Sequence, residues 1–100
     1  MNVQITSRKF KAKESLKTEI KEQLKNLEKF NDEILDANVI LSYTHLKDSI
    51  KTVEITLSVP GKTFTAEDTS DEYGKSLTKV IAKLQKQLKT LKSKRIAKTR

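Results

Sequence analysis

The stretch KTVEITLSV, residues 51–59, alternates without a break. Val53, Ile55, Leu57 and Val59 fall on one side; Thr52, Glu54, Thr56 and Ser58 fall on the other. A period of two is the period of a β-strand, and a strand with one apolar and one polar face needs a cover on one side only. Whatever else the chain contains must supply that cover.

Two stretches are suited to do so. Leu16, Ile20, Leu24, Leu27 and Phe30 recur at spacings of three and four, which predicts an amphipathic helix over residues ~13–30. Its N-cap is not obvious, since Lys11, Ala12 and Lys13 cap poorly. Tyr73, Leu77, Val80, Ile81, Leu84, Leu88 and Leu91 share one arc of roughly 100°, predicting a last helix of about 20–24 residues. Thr69 and Glu72 have the spacing of a capping box, so this helix is expected to begin near residue 70, with Asp71 and Glu72 in its first turn.

Three further strands complete the pattern: NVQITS at the start, ANVILSY in the middle, and KTFTAE after a Pro60-Gly61 turn. The order is β-α-β-β-β-α. The first β-α-β unit should pair its strands in parallel and the later strands should form antiparallel hairpins. The expected fold is α+β: a two-layer sandwich of one four-stranded sheet with both helices packed on one face. Residues 1–95 are read as one domain, and 96–100 as a basic, disordered tail. No apolar run approaches the ~20 residues that cross a bilayer, the N-terminus lacks a signal-peptide core, and there are no cysteines. The expectation is a soluble cytoplasmic protein without disulfides or thiolate metal sites.

Catalysis finds little footing. The one histidine, His45, falls in an expected loop, YTHLKDS, so no Ser/His/Asp or Cys/His set can be assembled around a second imidazole. No metal-ligand cluster is visible, and the two glycines are isolated rather than gathered into a phosphate-binding loop. No enzyme and no cofactor are expected.

Charge is more informative. The chain carries 21 Lys and Arg against 13 Asp and Glu, a net +8, but residues 1–72 are slightly acidic. All the excess lies in residues 73–100, which hold ten basic residues and no acid. With Leu77 at zero, Lys89, Lys75, Lys86, Lys79 and Lys83 project between about 120° and 240°, opposite the apolar arc. They are like-charge neighbours at i+3 or i+4, each pair costing ~0.2–0.5 kcal/mol, and no glutamate on the helix relieves them. Lys92, Lys94 and Arg95 also suit a helix C-terminus. The first helix differs: Lys13, Lys17, Lys21, Lys25 and Lys29 have Glu14, Glu22 and Glu28 within reach. A face of unrelieved cations is expected to have no carboxylate partner inside the chain and to meet a polyanion outside it. A membrane surface would need the apolar arc free to enter lipid, whereas that arc is committed to the sheet. Nucleic acid is the expected partner, met mainly through phosphates and shape. A general double-stranded-RNA-binding module and a domain that docks an acidic protein remain as alternatives.

Together, VQITSRKF, LEKFNDEILDANVILSY, VEITLSVPGKTFTAED and VIAKLQKQLKTLKSK resemble, in order and length, the short ribosome hibernation-promoting factors, bacterial relatives of the ribosome-associated inhibitor protein Y. The most characteristic part is K-L-x-[KR]-Q-L at Lys83–Leu88. The resemblance implies a β-α-β-β-β-α fold like that of double-stranded-RNA-binding domains. It also implies a non-catalytic role: occupying the mRNA–tRNA channel of the small ribosomal subunit, across the A and P sites, and silencing translation under stress or in stationary phase. The implied partners are 16S rRNA and the small subunit, in 30S or 70S particles or in 100S dimers with a separate factor. By the same resemblance, Lys83 and Lys86 match recurrent rRNA-binding positions. Lys75, Lys79, Lys89 and Lys94 extend that surface, and Arg8 and Lys9 add contacts after the first strand. One departure is noted: relatives carry acid-x-Tyr ahead of the last helix, whereas Glu72 stands directly before Tyr73. Long-form relatives also carry a C-terminal dimerising domain that lies outside this match.

Overall fold

The computed structural model describes residues 1–8, 10–30, 33–45 and 49–98, with side chains described except at 30, 44, 45, 49 and 91–98. The order is β1 (Asn2–Ser7), α1 (Glu14–Phe30), β2 (Asp36–His45), β3 (Ser49–Val59), β4 (Lys62–Ser70) and α2 (Tyr73–Lys98). The four strands form one sheet in chain order. β1 runs parallel to β2, as a strand returning after a crossover helix can, while β2–β3 and β3–β4 are antiparallel.

The register explains the core. Ala37 pairs Leu57 and Val39 pairs Ile55; across the next ladder Ile55 pairs Ala66 and Leu57 pairs Phe64. All six are buried. They form one apolar face, closed by Ile20, Leu24 and Leu27 of α1 and by Leu77, Val80, Ile81, Leu84 and Leu88 of α2. Thr56 and Thr65 pair on the opposite face, their hydroxyls 3.3 Å apart. The two-layer arrangement expected from the alternation of residues 51–59 is therefore the one found.

Element boundaries differ in ways that matter. β2 continues to His45, so the histidine expected in a loop lies in a strand, opposite Ser49. β4 continues to Ser70, and Thr69 pairs Thr52 instead of capping a helix. α2 begins at Tyr73, with the Glu72 carbonyl accepting from Ser76 N–H at 3.1 Å. Asp71 and Glu72 therefore precede the first turn instead of lying inside it. At its other end α2 reaches Lys98, so it is longer than expected and includes residues 96–98 of the stretch expected as a tail. α1 starts without a side-chain cap: the Lys13 carbonyl accepts from Leu16 and Lys17 N–H, both at 3.1 Å.

The β3–β4 turn is two residues, Pro60 and Gly61, between the paired Val59 and Lys62. Gly61 has φ +79°, the left-handed value that the second central position of a type II turn requires, while proline presets the first. A Cβ at Gly61 would have open space, yet Gly61→Ala should destabilise the fold by about 1–2 kcal/mol, because the cost lies in the backbone. Gly74, inside α2, should respond the other way. A Cβ there meets only Glu19 side-chain oxygens at 3.6 Å and 3.9 Å, so Gly74→Ala should stabilise by about 0.4–1 kcal/mol. Urea unfolding of the two variants beside the parent chain checks both signs.

Candidate nucleic-acid interface

α2 is fastened to the sheet by its first turn. The Ser76 hydroxyl is buried and donates to the Lys51 carbonyl at 2.7 Å, with the Glu72 carbonyl at 3.2 Å as the alternative acceptor. Tyr73 donates its phenolic proton to the Ser42 carbonyl at 3.1 Å, and burial raises its pKa above the ordinary 10.0. Its ring stacks on Phe10 at 5.3 Å between centroids, and Phe10 meets Tyr43 edge-on at 5.6 Å. These contacts fix the rotation of α2 about its own axis and so decide which lysines face outward.

With that rotation fixed, Lys75, Lys79, Lys83, Lys86 and Lys89 are all exposed. The expectation that none has a carboxylate partner within the chain is overturned for two of them. Lys83 Nζ lies 3.1 Å from Asp68 Oδ2 and donates to the Glu67 carbonyl at 2.9 Å. Lys75 Nζ pairs with Asp71 Oδ1 at 3.2 Å. Lys79 donates to the Thr69 carbonyl at 3.4 Å, a neutral acceptor. Among the described residues, Lys86 and Lys89 have no carboxylate partner. The physical reasons differ: Lys83 stands at the edge of the basic face, about 240° from Leu77, where α2 borders β4, while Lys75 is in the first turn of α2, four residues after Asp71. The relieving acids come from the strand and the turn before the helix, not from the helix itself.

The carboxylates respond accordingly. The Thr69 N–H, which donates to Asp68 Oδ1 at 2.8 Å, and the Lys83 ammonium together hold the Asp68 carboxyl below its usual 3.8. Asp71 is lowered in the same sense, first by Lys75 and then by the Ser70 hydroxyl at 3.0 Å. Both are therefore ionised throughout the physiological range. In α1, Lys17 pairs with Glu14 at 3.6 Å, the internal compensation expected of that helix.

Of the remaining expected contacts, only Arg8 has a described side chain. Arg8 is exposed at the end of β1, its N–H donating to the Leu41 carbonyl at 2.9 Å. β1 and β4 are the two outer strands of the sheet, so Arg8 follows the edge strand opposite the one that borders Lys83. Lys9 lies outside the described residues, as does the side chain of Lys94, whose backbone belongs to α2. A cleft of about 580 Å³ opens where the β1–α1 connection meets the start of α2, lined by Phe10, Lys11, Lys13, Lys51 and Tyr73 among others. These lysines lie outside the basic face of α2: Lys11 and Lys13 come from the β1–α1 connection and Lys51 from β3. No cluster of three or more metal-ligating side chains occurs among the described residues, and no described helix is long and apolar enough to cross a membrane.

Comparison with known proteins agrees with this architecture. A structure of a ribosomal subunit interface protein from Coxiella burnetii superposes with a TM-score of 0.85 at 26% identity, covering 93% of this chain and 99% of that one. The N-terminal domain of protein Y from Thermus thermophilus has a TM-score of 0.82 at 21% identity, covering 91% and 99%, a likeness of fold. A ribosome hibernation promotion factor from Deinococcus radiodurans is 27% identical over 93 residues, 91% of this chain. The chain spans about half (49%) of that relative's length. The family model described as sigma 54 modulation protein / S30EA ribosomal protein matches residues 3–96, and the chain belongs to that family.

Proposed function

We propose that the chain is a non-catalytic, ribosome-binding translation inhibitor of the hibernation type. It sits in the mRNA–tRNA channel of the small subunit, where it blocks the A and P sites by occupying them. Its target is 16S rRNA in 30S or 70S particles in the bacterial cytoplasm, under stress or in stationary phase. Association of silenced particles into 100S dimers would require a separate factor.

The observation that carries this reading is the outward face of α2. Lys86 and Lys89 are exposed without a carboxylate partner among the described residues, and Lys79 donates to a carbonyl while its charge also helps to lower the Asp68 pKa. The opposite face of the same helix is buried against the sheet and so is closed to lipid. Lysines of this kind bind phosphates as point charges, which suits a folded RNA read by shape. Lys75 and Lys83 join the surface despite their carboxylate partners, Lys94 of the same helix is a further expected contact, and Arg8 and Lys9, after β1, are two more. Residues 1–95 constitute the ribosome-binding domain.

The test is a competition. Labelled protein is equilibrated with 30S subunits in the presence of an equal mass of random-sequence duplex RNA, then separated on a sucrose gradient. The protein should co-migrate with 30S and 70S particles. Equal partition onto the duplex would reduce the reading to a general RNA-binding module.

A further inference from the structure

We infer that the cleft between the β1–α1 connection and the start of α2 is a nucleotide-binding site. It takes a phosphate on Lys11, Lys13 and Lys51 and lays the base against Phe10 and Leu16. The site is separate from the unpaired lysines of α2, since Tyr73 and Lys86 are about 20 Å apart along the helix axis.

The cleft holds about 580 Å³, an ordinary size for sites that take a small molecule. Three lysines line it, Lys11 and Lys13 from the connection before α1 and Lys51 from β3. Among the described residues, none of the three has a carboxylate partner. Glu72 also lines the cleft, which leaves three cations against one anion. A concave lining of this charge selects an anion.

Lys51 is the unusual member. The inward row of β3 runs Lys51, Val53, Ile55, Leu57 and Val59, and the four apolar residues are buried. A half-buried lysine therefore stands where the alternation would place another apolar side chain. Its carbonyl accepts from the Ser76 hydroxyl at 2.7 Å, and its Nζ donates to the Asp71 carbonyl at 3.0 Å. That bond uses one of the three ammonium protons, on a neutral acceptor, and leaves two for an anion. Partial burial of the ammonium costs solvation, which a bound phosphate would restore.

The rest of the wall is apolar. Phe10 stacks on Tyr73 and meets Tyr43 edge-on, yet it stays half-exposed and lines the cleft beside Leu16. Inorganic phosphate would engage the lysines and leave this wall in water. A nucleotide engages both, because its base has a flat apolar face to lay on such a surface. A free nucleotide and one residue of an RNA strand offer the same chemistry.

The test is a titration of the full chain with AMP, followed through backbone amide shifts in proton–nitrogen correlation spectra. AMP should produce saturable shifts gathered at Phe10 to Leu16, at Lys51 and around Tyr73. Lys51→Gln should weaken AMP and inorganic phosphate alike, by about ten-fold. Phe10→Leu should weaken AMP about five-fold while leaving inorganic phosphate unchanged. Lys11→Gln with Lys13→Gln, at exposed positions remote from the core, should weaken AMP about three-fold. In about 100 mM salt, which screens charges ~20 Å apart, Lys86→Glu with Lys89→Glu should bind AMP as the parent does. Failure of the cleft and failure of the α2 face are thereby read separately. A single-stranded RNA hexamer distinguishes the sources: displacement of AMP assigns the cleft to a residue of an RNA strand, and retention of AMP assigns it to a free nucleotide.

Absence of saturable shifts would overturn the proposal, as would shifts spread along α2, which report charge alone. AMP binding that survives Lys51→Gln would do the same. So would undiminished AMP binding by a Phe10→Leu chain that melts like the parent.

Discussion

Reversing two charges, Lys86→Glu with Lys89→Glu, is expected to abolish co-sedimentation with 30S subunits while leaving the thermal midpoint nearly unchanged. Each lysine is exposed and lacks a carboxylate partner among the described residues. The substitution therefore breaks no internal ion pair and relieves like-charge repulsion along α2. Two charge-assisted contacts to phosphate are lost, at about 1.5–3 kcal/mol each, which is at least roughly a hundred-fold in affinity before the new repulsion is counted. Lys83 is a poorer choice for the same experiment. Lys83→Glu would set a carboxylate against Asp68, and any loss of binding would be mixed with a loss of fold. Normal binding by the double variant, measured beside its melting curve, would show that another face of the molecule meets the ribosome.

The second large effect needs no substitution. If the α2 face and its neighbours neutralise ~6–10 phosphates, affinity for the small subunit should fall by roughly 10³–10⁵ between 50 and 200 mM monovalent salt, since each neutralised phosphate releases counterions. The exposed lysines lie at the surface, where screening is strongest. Equilibrium binding by filtration or fluorescence at four or five salt concentrations gives the slope. A flat line would mean that shape and apolar contact hold the complex together, and that lysine density on α2 serves solubility.

Much of the fold was legible because two periodicities carried it. The alternation at Val53, Ile55, Leu57 and Val59 named the buried row of β3, and the Leu77–Leu88 arc named the covered side of α2. The parallel β1–β2 pair followed from the helix between them. Boundaries were less legible, because they depend on pairing partners that lie far away in sequence. Thr69 has the spacing of a cap, but opposite Thr52 its backbone gains more from the ladder. That error concealed Asp68, the partner of Lys83. Ending β4 at Glu67 hid the continuation of the inward row from Phe64 and Ala66 to Asp68. One more step of the same alternation places an acid beside α2. The cations themselves were countable from composition. Their division into paired and unpaired groups depends on the rotation of α2, which Ser76 and Tyr73 set through carbonyls 25 and 31 residues away.

The ammonium groups of Lys79 and Lys83 resting on the Thr69 and Glu67 carbonyls have a consequence apart from RNA. β4 is an outer strand, and acceptors on such a rim invite another polypeptide to extend the sheet. Two positively charged plugs at those oxygens discourage that growth. The chain thereby gains protection from stacking into fibrils along this border.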